Sequence, residues 1–337
     1  MNIKQAIEKT VRLKSLSESE AYATAGQIME GKATDAQIAA LLVSMRHKGE
    51  SVEEITGFAR AMRDRATPVA AGSDSLVDTC GTGGDGSGTF NVSTLSALVA
   101  AGAGCRVAKH GNRSVSSQCG SADVFEALGV KVDLQPEAIS RCIDEAGIGF
   151  LFAPNLHKAM KHAIGPRREI GIRTVFNILG PLTNPAGAKR QLLGVFDGGL
   201  TDRLACVLKE LGSEHVMVVH GEDGLDEITL TCGTLVTELK DGEISRYRIE
   251  PESFGFRRSS EEALKGGDAE TNAGIARKVL EGRPCPARDT VLLNAGAVVY
   301  VGGKAASISE GIRLAKESVD SGAAMQALER LVAASNR

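Results

Sequence analysis

The chain has 337 residues, 42% hydrophobic and 24% charged, with Lys plus Arg 39 against Asp plus Glu 42. At roughly 150 residues per domain this is one large domain and a smaller one with a sizeable core, which excludes fibrous and disordered classes. A net charge of -3 lacks the broad positive field of a nucleic-acid binder, and no apolar run approaches the about 18 residues of a membrane span.

The first 66 residues read as helix after helix. Ile3, Ile7 and Val11 recur near helical spacing. Ser17 with Glu20, Thr34 with Gln37 and Ser51 with Glu54 have the spacing of capping boxes. The helices they open stop by Gly31, at Gly49 and near Ala66. The stretch PVAAGSDS at 68–75 reads as a linker. The polar, amphipathic start is not expected to be a secretory signal. Seven cysteines with no C-x-x-C pair suggest neither a disulfide framework nor a zinc cluster, and they suit a reducing cytoplasm.

From Leu76 strands alternate with helices. Strands are predicted at Leu76–Asp78, Cys105–Ala108, Val130–Leu134, Ile148–Phe152, Leu192–Phe196 and Val216–His220. Helices are predicted from Ser93 to Ala103, from a Ser121 cap to Gly129, from Pro136, over 157–180 and near 201–211. Three more follow at 269–281, 289–301 and 306–335, the last broken at Gly322. This alternation implies a mostly parallel sheet flanked by helices, with ligands in the loops after the strands.

Four loops carry chemistry. The loop DTCGTGGDGSGTFNVST at 78–94 holds five glycines between 81 and 88 and runs into a helix start. Its amides can converge on an anion. It lacks the lysine of a Walker A loop and the downstream acid of a dinucleotide site; the alternative is an ordinary glycine-rich turn. The loop KHGNRSVSSQCGSAD at 109–123 brings Lys109, His110 and Arg113 together with neutral donors, as a phosphate site would, or as a solvated basic loop would. The loop after 216–220 carries Glu222, Asp223, Asp226 and Glu227, hard ligands suited to magnesium beside phosphate, or a solvated acidic turn. Arg167 and Arg168 follow Gly165-Pro166 at an expected helix start, where the dipole disfavours cations unless an anion binds, or both are solvated. His157 reads as a structural histidine rather than an acid–base group.

Together these stretches resemble the anthranilate phosphoribosyltransferase family. The carrying segments are DTCGTGGD at 78–85, NVST at 91–94, KHGNR at 109–113, GSADV at 120–124, RTVFNILGPLTNP at 173–185, DGLDE at 223–227 and the stretch 288–306. The likeness covers nearly the whole chain. One departure is Lys158 after His157, where the family usually has proline.

The resemblance implies transfer of the 5-phosphoribosyl group from phosphoribosyl pyrophosphate (PRPP) to the amine of anthranilate, in tryptophan synthesis. It implies a nucleoside phosphorylase-like α/β fold: a small helical domain over 1–66, packed with 166–185, and a large domain over 70–337. By position, PRPP would meet Gly81, Gly84, Asp85, Thr89, Asn91, Val92, Ser93 and Thr94 in the first loop. In the second it would meet Lys109, His110, Gly111, Asn112, Arg113, Ser114, Val115, Ser116 and Ser117, with Ser121. Anthranilate would meet Gly81, Asn112 and Arg167. Mg2+ would use Ser93, Asp226 and Glu227. The resemblance also implies a cytoplasmic homodimer joined through the helical domain, with no nucleic acid or membrane partner and no single catalytic acid–base residue. A nucleoside phosphorylase-like enzyme and a non-catalytic nucleic-acid-binding relative stay open as alternatives.

Overall fold

The computed structural model describes residues 1–72, 75–114 and 118–337, so the expected ligands Val115, Ser116 and Ser117 lie outside the described residues. The chain opens with helices α1 (Ile3–Val11), α2 (Glu18–Met29), α3 (Asp35–Lys48) and α4 (Val52–Arg63). Each starts with a reciprocal cap. Asn2, Ser17, Thr34 or Ser51 accepts from the amide three residues on, whose Gln5, Glu20, Gln37 or Glu54 side chain accepts from the cap amide in return. Two otherwise lost donors are satisfied at every start. Phe58 meets Phe176 edge to face, with ring centroids 5.9 Å apart. The bundle core (Ile28, Leu41, Ile55) is continuous with Leu179 and Leu182 and with Leu193 and Val218 of the sheet.

Among the described residues seven strands form one sheet in the order β3-β2-β1-β4-β5-β6-β7. They are β1 (Leu76–Gly81), β2 (Arg106–Gly111), β3 (Ile148–Phe152), β4 (Arg190–Gly194), β5 (His215–Gly221), β6 (Thr234–Lys240) and β7 (Glu243–Ile249). The first five run parallel; β6 and β7 form an antiparallel hairpin. Leu192, Met217 and Val219 face one apolar cluster, which includes helix α5 (Val92–Gly102) and the helix Pro286–Val301. Leu193, Val216 and Val218 face the other. Burial on both faces is what a parallel sheet requires. The chain moves outward through β2 and β3, then returns to lay β4 on the other side of β1. Strand order therefore reverses between β1 and β4, and a crevice opens beyond their carboxyl ends.

Four expectations are corrected. Val130–Leu134 is not a strand. Val130, Val132 and Leu134 are buried, but the Lys131 amide bonds Ser335 Oγ, and the segment covers helices instead of joining the sheet. The hairpin β6–β7 is absent from the expected elements, although Asp241-Gly242 between its strands, both at positive φ, is a strong turn signal. The helix expected over 157–180 is broken into Lys158–Met160, Lys161–Ile170 and Phe176–Leu179, with a left-handed cap at Gly171; a short helix Ala153–Leu156 precedes it. The cap of Ser121–Ala127 is Gly120, not Ser121; Asp123 accepts from the Gly120 amide at 2.8 Å. The expected break at Gly322 is present, at φ +79°.

Candidate active site

The crevice floor is built by two glycines. Gly81 ends β1 and pairs with Gly194 at the end of β4. The turn after β5 lies directly on both. A Cβ at Gly81 would overlap the Asp226 carboxylate, and one at Gly194 the Asp226 backbone. Close approach, not a left-handed φ, demands glycine here. Gly194→Ala should therefore displace the turn, with a loss of about 1–3 kcal/mol from overpacking and at least about tenfold in kcat/KM. Thermal melts and steady-state kinetics on the same preparation check both parts.

Seated this way, Asp226 accepts from the Gly83 amide at 2.7 Å, and Glu227 Oε1 accepts from the Ser93 amide at 3.1 Å. Burial, reinforced by the Asp85 carboxylate, pushes Asp226 up to about 7. Burial and the charge of Asp226 push Glu227 well above the usual carboxylate range. Lys109 lies between Asp78 and Glu227, whose charges favour its ammonium. It is only 1% exposed, and its Nζ donates to Thr79 O at 2.7 Å and Ser93 Oγ at 3.2 Å. Burial lowers its pKa. The mutual repulsion of Asp85, Asp226 and Glu227, with Lys109 shared between Glu227 and Asp78, leaves negative charge under-compensated in the turn. The donor set is hard oxygen, which fits Mg2+. Among the described residues no three His, Cys, Asp or Glu side chains are already gathered as a cage.

Above the floor, Gly83, Gly84, Gly86 and Gly88 adopt φ between +66° and +76°, where side chains are strained. The turns between them are fixed by side chains. Asp85 accepts from Ser87 Oγ at 2.7 Å, and Ser87 Oγ lies 3.1 Å from Thr89 Oγ1. Arg173 donates to the Gly84 carbonyl and lies 4.0 Å over the Phe196 ring. Asn91 is tied down: it donates to Cys119 O at 3.1 Å and accepts from Asn272 Nδ2 at 2.9 Å. Val92 and Thr94 are buried in the first turn of α5, and Thr94 Oγ1 has no hydrogen-bond partner among the described residues.

In the second loop several of the expected ligand side chains already have protein partners. The His110 amide donates to Asp78, whose other oxygen accepts from Asn184 at 2.8 Å. The His110 ring turns inward, with Nδ1 3.1 Å from Gly180 O and centroids 5.1 Å from His157. Burial lowers both histidines, to about 3 and about 4. Arg113 sits on Asp123 at 2.8 Å and Glu126 at 2.6 Å. Asn112 Oδ1 accepts from the Arg113 amide at 2.7 Å. The Ser114 amide reaches Asp123 at 3.4 Å, and a Cβ at Gly111 would stand 3.2 Å from that of Ser121.

Arg167 is not at a helix start. It stands in the last turn of Lys161–Ile170, where the helix dipole favours a cation, and Pro166 lies within that helix. The guanidinium lies 5.4 Å over the Phe176 ring. It is half-buried with no ion pair among the described residues, and burial lowers its pKa. Among the described residues, this desolvated cation has no carboxylate in contact. Sequence reasoning passes over Asp78, Arg173, Asn184 and Asn272. The first three lie inside the quoted family stretches, but nothing in their spacing announces their contacts.

The glycine loop offers amides for an anion, and the turn packed on it offers carboxylates for a hard cation. Two family models match: "Glycosyl transferase family, helical bundle domain" over residues 4–66 and "Glycosyl transferase family, a/b domain" over 73–325. Anthranilate phosphoribosyltransferase of Thioalkalivibrio sulfidiphilus is 57% identical over 332 residues, 98% of each chain. The crystal structure of anthranilate phosphoribosyltransferase from Thermus thermophilus superimposes with TM-score 0.94 at 46% identity, covering 98% of this chain and 99% of that one. That of the Saccharomyces cerevisiae enzyme in complex with PRPP and Mg gives TM-score 0.90 at 27% identity, covering 99% and 98%. With both domains matched and this identity sustained from end to end, the chain belongs to the anthranilate phosphoribosyltransferase family.

Proposed function

We propose that the protein moves the 5-phosphoribosyl group of PRPP to the amine of anthranilate, giving N-(5-phosphoribosyl)anthranilate and pyrophosphate in tryptophan synthesis. The observation that carries this reading is the Asp226–Glu227 pair, under-compensated and pressed against the glycine loop at the strand-order reversal. PRPP meets Gly81, Gly84, Asp85, Thr89 and Asn91 to Thr94 in the first loop, and Lys109 to Ser114 with Ser121 in the second. Anthranilate lies between Gly81, Asn112 and Arg167. Ser93, Asp226 and Glu227 would hold Mg2+, which would supply neutralisation of charge on the departing pyrophosphate.

Anthranilate's aromatic amine is neutral at pH 7 and needs no base to attack. Its nitrogen bonds to the anomeric carbon as the bond to pyrophosphate breaks, and the nitrogen then gives up a proton to solvent. The amides of the glycine loop stabilise charge developing on the pyrophosphate oxygens. Arg167 orients the acceptor, so positioning supplies much of the remainder. Loss of anthranilate fluorescence should require both PRPP and Mg2+. Phosphorolysis of thymidine or uridine with no use of anthranilate would favour the phosphorylase reading instead.

The protein works as a homodimer joined through its helical domain, in the cytoplasm. Val11, Leu13 and Val43 of the helical segment and Ile164 of the helix packed on α3 are large apolar side chains left exposed. Sedimentation should give a dimer at micromolar concentration; a monomer persisting at high concentration contradicts it. Among the described residues no helix is long and apolar enough to cross a membrane, and the seven cysteines are free thiols.

A further inference from the structure

Asn294 is fully buried on the helix Pro286–Val301. Its side chain pairs with one backbone residue in both directions. The Ile228 amide donates to Oδ1 at 2.9 Å, and Nδ2 donates to Ile228 O at 2.7 Å. The remaining Nδ2 proton goes to Thr290 O at 2.9 Å. Ile228 directly follows Asp226 and Glu227 and is itself fully buried, so its amide and carbonyl have no water to turn to. Asn294 thus acts as a one-residue strand partner for the end of the carboxylate turn.

The helix that carries Asn294 is itself fixed in place. A Cβ on Gly296 would strike Ile312, and one on Gly311 would strike the Gly296 backbone, so the two helices cross at contact distance. The turn is therefore held on one side by the Gly81–Gly194 floor and on the other by Asn294. At its start Asp223 accepts from Thr229 Oγ1 at 2.6 Å and from the Leu225 amide at 3.2 Å. Every anchor fixes backbone or an adjoining side chain; among them Asn294 reaches the residue after the pair from a distant helix.

We infer that Asn294 is a positioning residue that sets where the Asp226 and Glu227 carboxylates stand. The inference rests on the metal-holding role given to that pair above. Outer partners of this kind commonly change metal affinity about ten- to a hundredfold when lost. Asn294→Asp keeps the size and the acceptor for the Ile228 amide but loses both donated bonds and turns a carboxylate toward Ile228 O. Mn2+ titrated into the PRPP-loaded protein and followed by electron paramagnetic resonance reads metal affinity without turnover. Asn294→Asp should weaken Mn2+ binding about tenfold or more at a temperature well below its melting point. Asp226→Asn, the reference, should weaken it as well. Asn294→Ser, which leaves room for a water beside Ile228, repeats the test if the aspartate variant does not fold. A folded Asn294 variant with wild-type Mn2+ affinity, beside a weakened Asp226→Asn, overturns the proposal while leaving the metal assignment standing. Wild-type affinity in Asp226→Asn overturns the metal assignment and the proposal with it.

Discussion

Replacing Asp226 and Glu227 together by Ala is expected to lower phosphoribosyl transfer about a thousandfold or more while leaving the melting temperature of the ligand-free protein unchanged or higher. Loss of one oriented electrostatic contact typically costs about a hundred- to a thousandfold in rate, and this pair supplies two. The stability arm follows from the direction of the pKa shifts. Both carboxyls are pushed up by burial and by neighbouring carboxylates, so the folded chain disfavours their ionised forms. Removing them relieves that repulsion and exposes two amides, Gly83 and Ser93, to the crevice. A folded double mutant with near-normal turnover at limiting Mg2+ refutes the assignment. A large drop in melting temperature instead makes the pair a structural brace.

Arg167→Ala should cost about 2–4 kcal/mol of transition-state binding, roughly thirty- to a thousandfold in kcat/KM for anthranilate. Arg167→Lys should recover only part of this, because a lysine cannot make two parallel bonds to a carboxylate. The KM for PRPP should move much less, since other loops hold its phosphates. The prediction rests on a half-buried guanidinium over Phe176 with no carboxylate in contact among the described residues. Steady-state kinetics with each substrate varied in turn separate the two effects. Wild-type anthranilate constants in both variants would leave Arg167 a packing residue.

The parts legible in sequence are those fixed by local rules. Ser17, Thr34 and Ser51 announce their helices because a cap is closed by a residue three positions on. Parallel strands such as Ile148–Phe152 stand out as apolar runs because both faces are buried. Val130–Leu134 shows the limit: alternation reports burial, not the presence of a neighbouring strand, and helices cover this segment. Asp241-Gly242 is legible as a turn, but its strands alternate with charges and carry a weak apolar signal.

In the site, glycines and carboxylates are visible as residue types, while their seating is not. That Gly81 and Gly194 admit the Asp226 turn depends on strand register, which joins positions far apart in the chain. Lys109 looks like one charge in a basic loop, yet it lies within β2 and is buried. Arg113 looks available in the sequence and is paired with Asp123 and Glu126. A Gly-Pro step reads as a break and so puts Arg167 at a helix start; Pro166 is instead accommodated inside the helix.

The β6–β7 hairpin has a bearing on how copies of the chain can meet. A sheet with an open flank invites another sheet to dock along it and continue the ladder. Here the outermost strand carries Glu243, Arg246 and Arg248 outward, and its arginines are held by Asp202 and Glu222. The opposite flank, β3, is buried along its whole length. Fibre-like growth through strand pairing is thereby discouraged at both margins of the sheet.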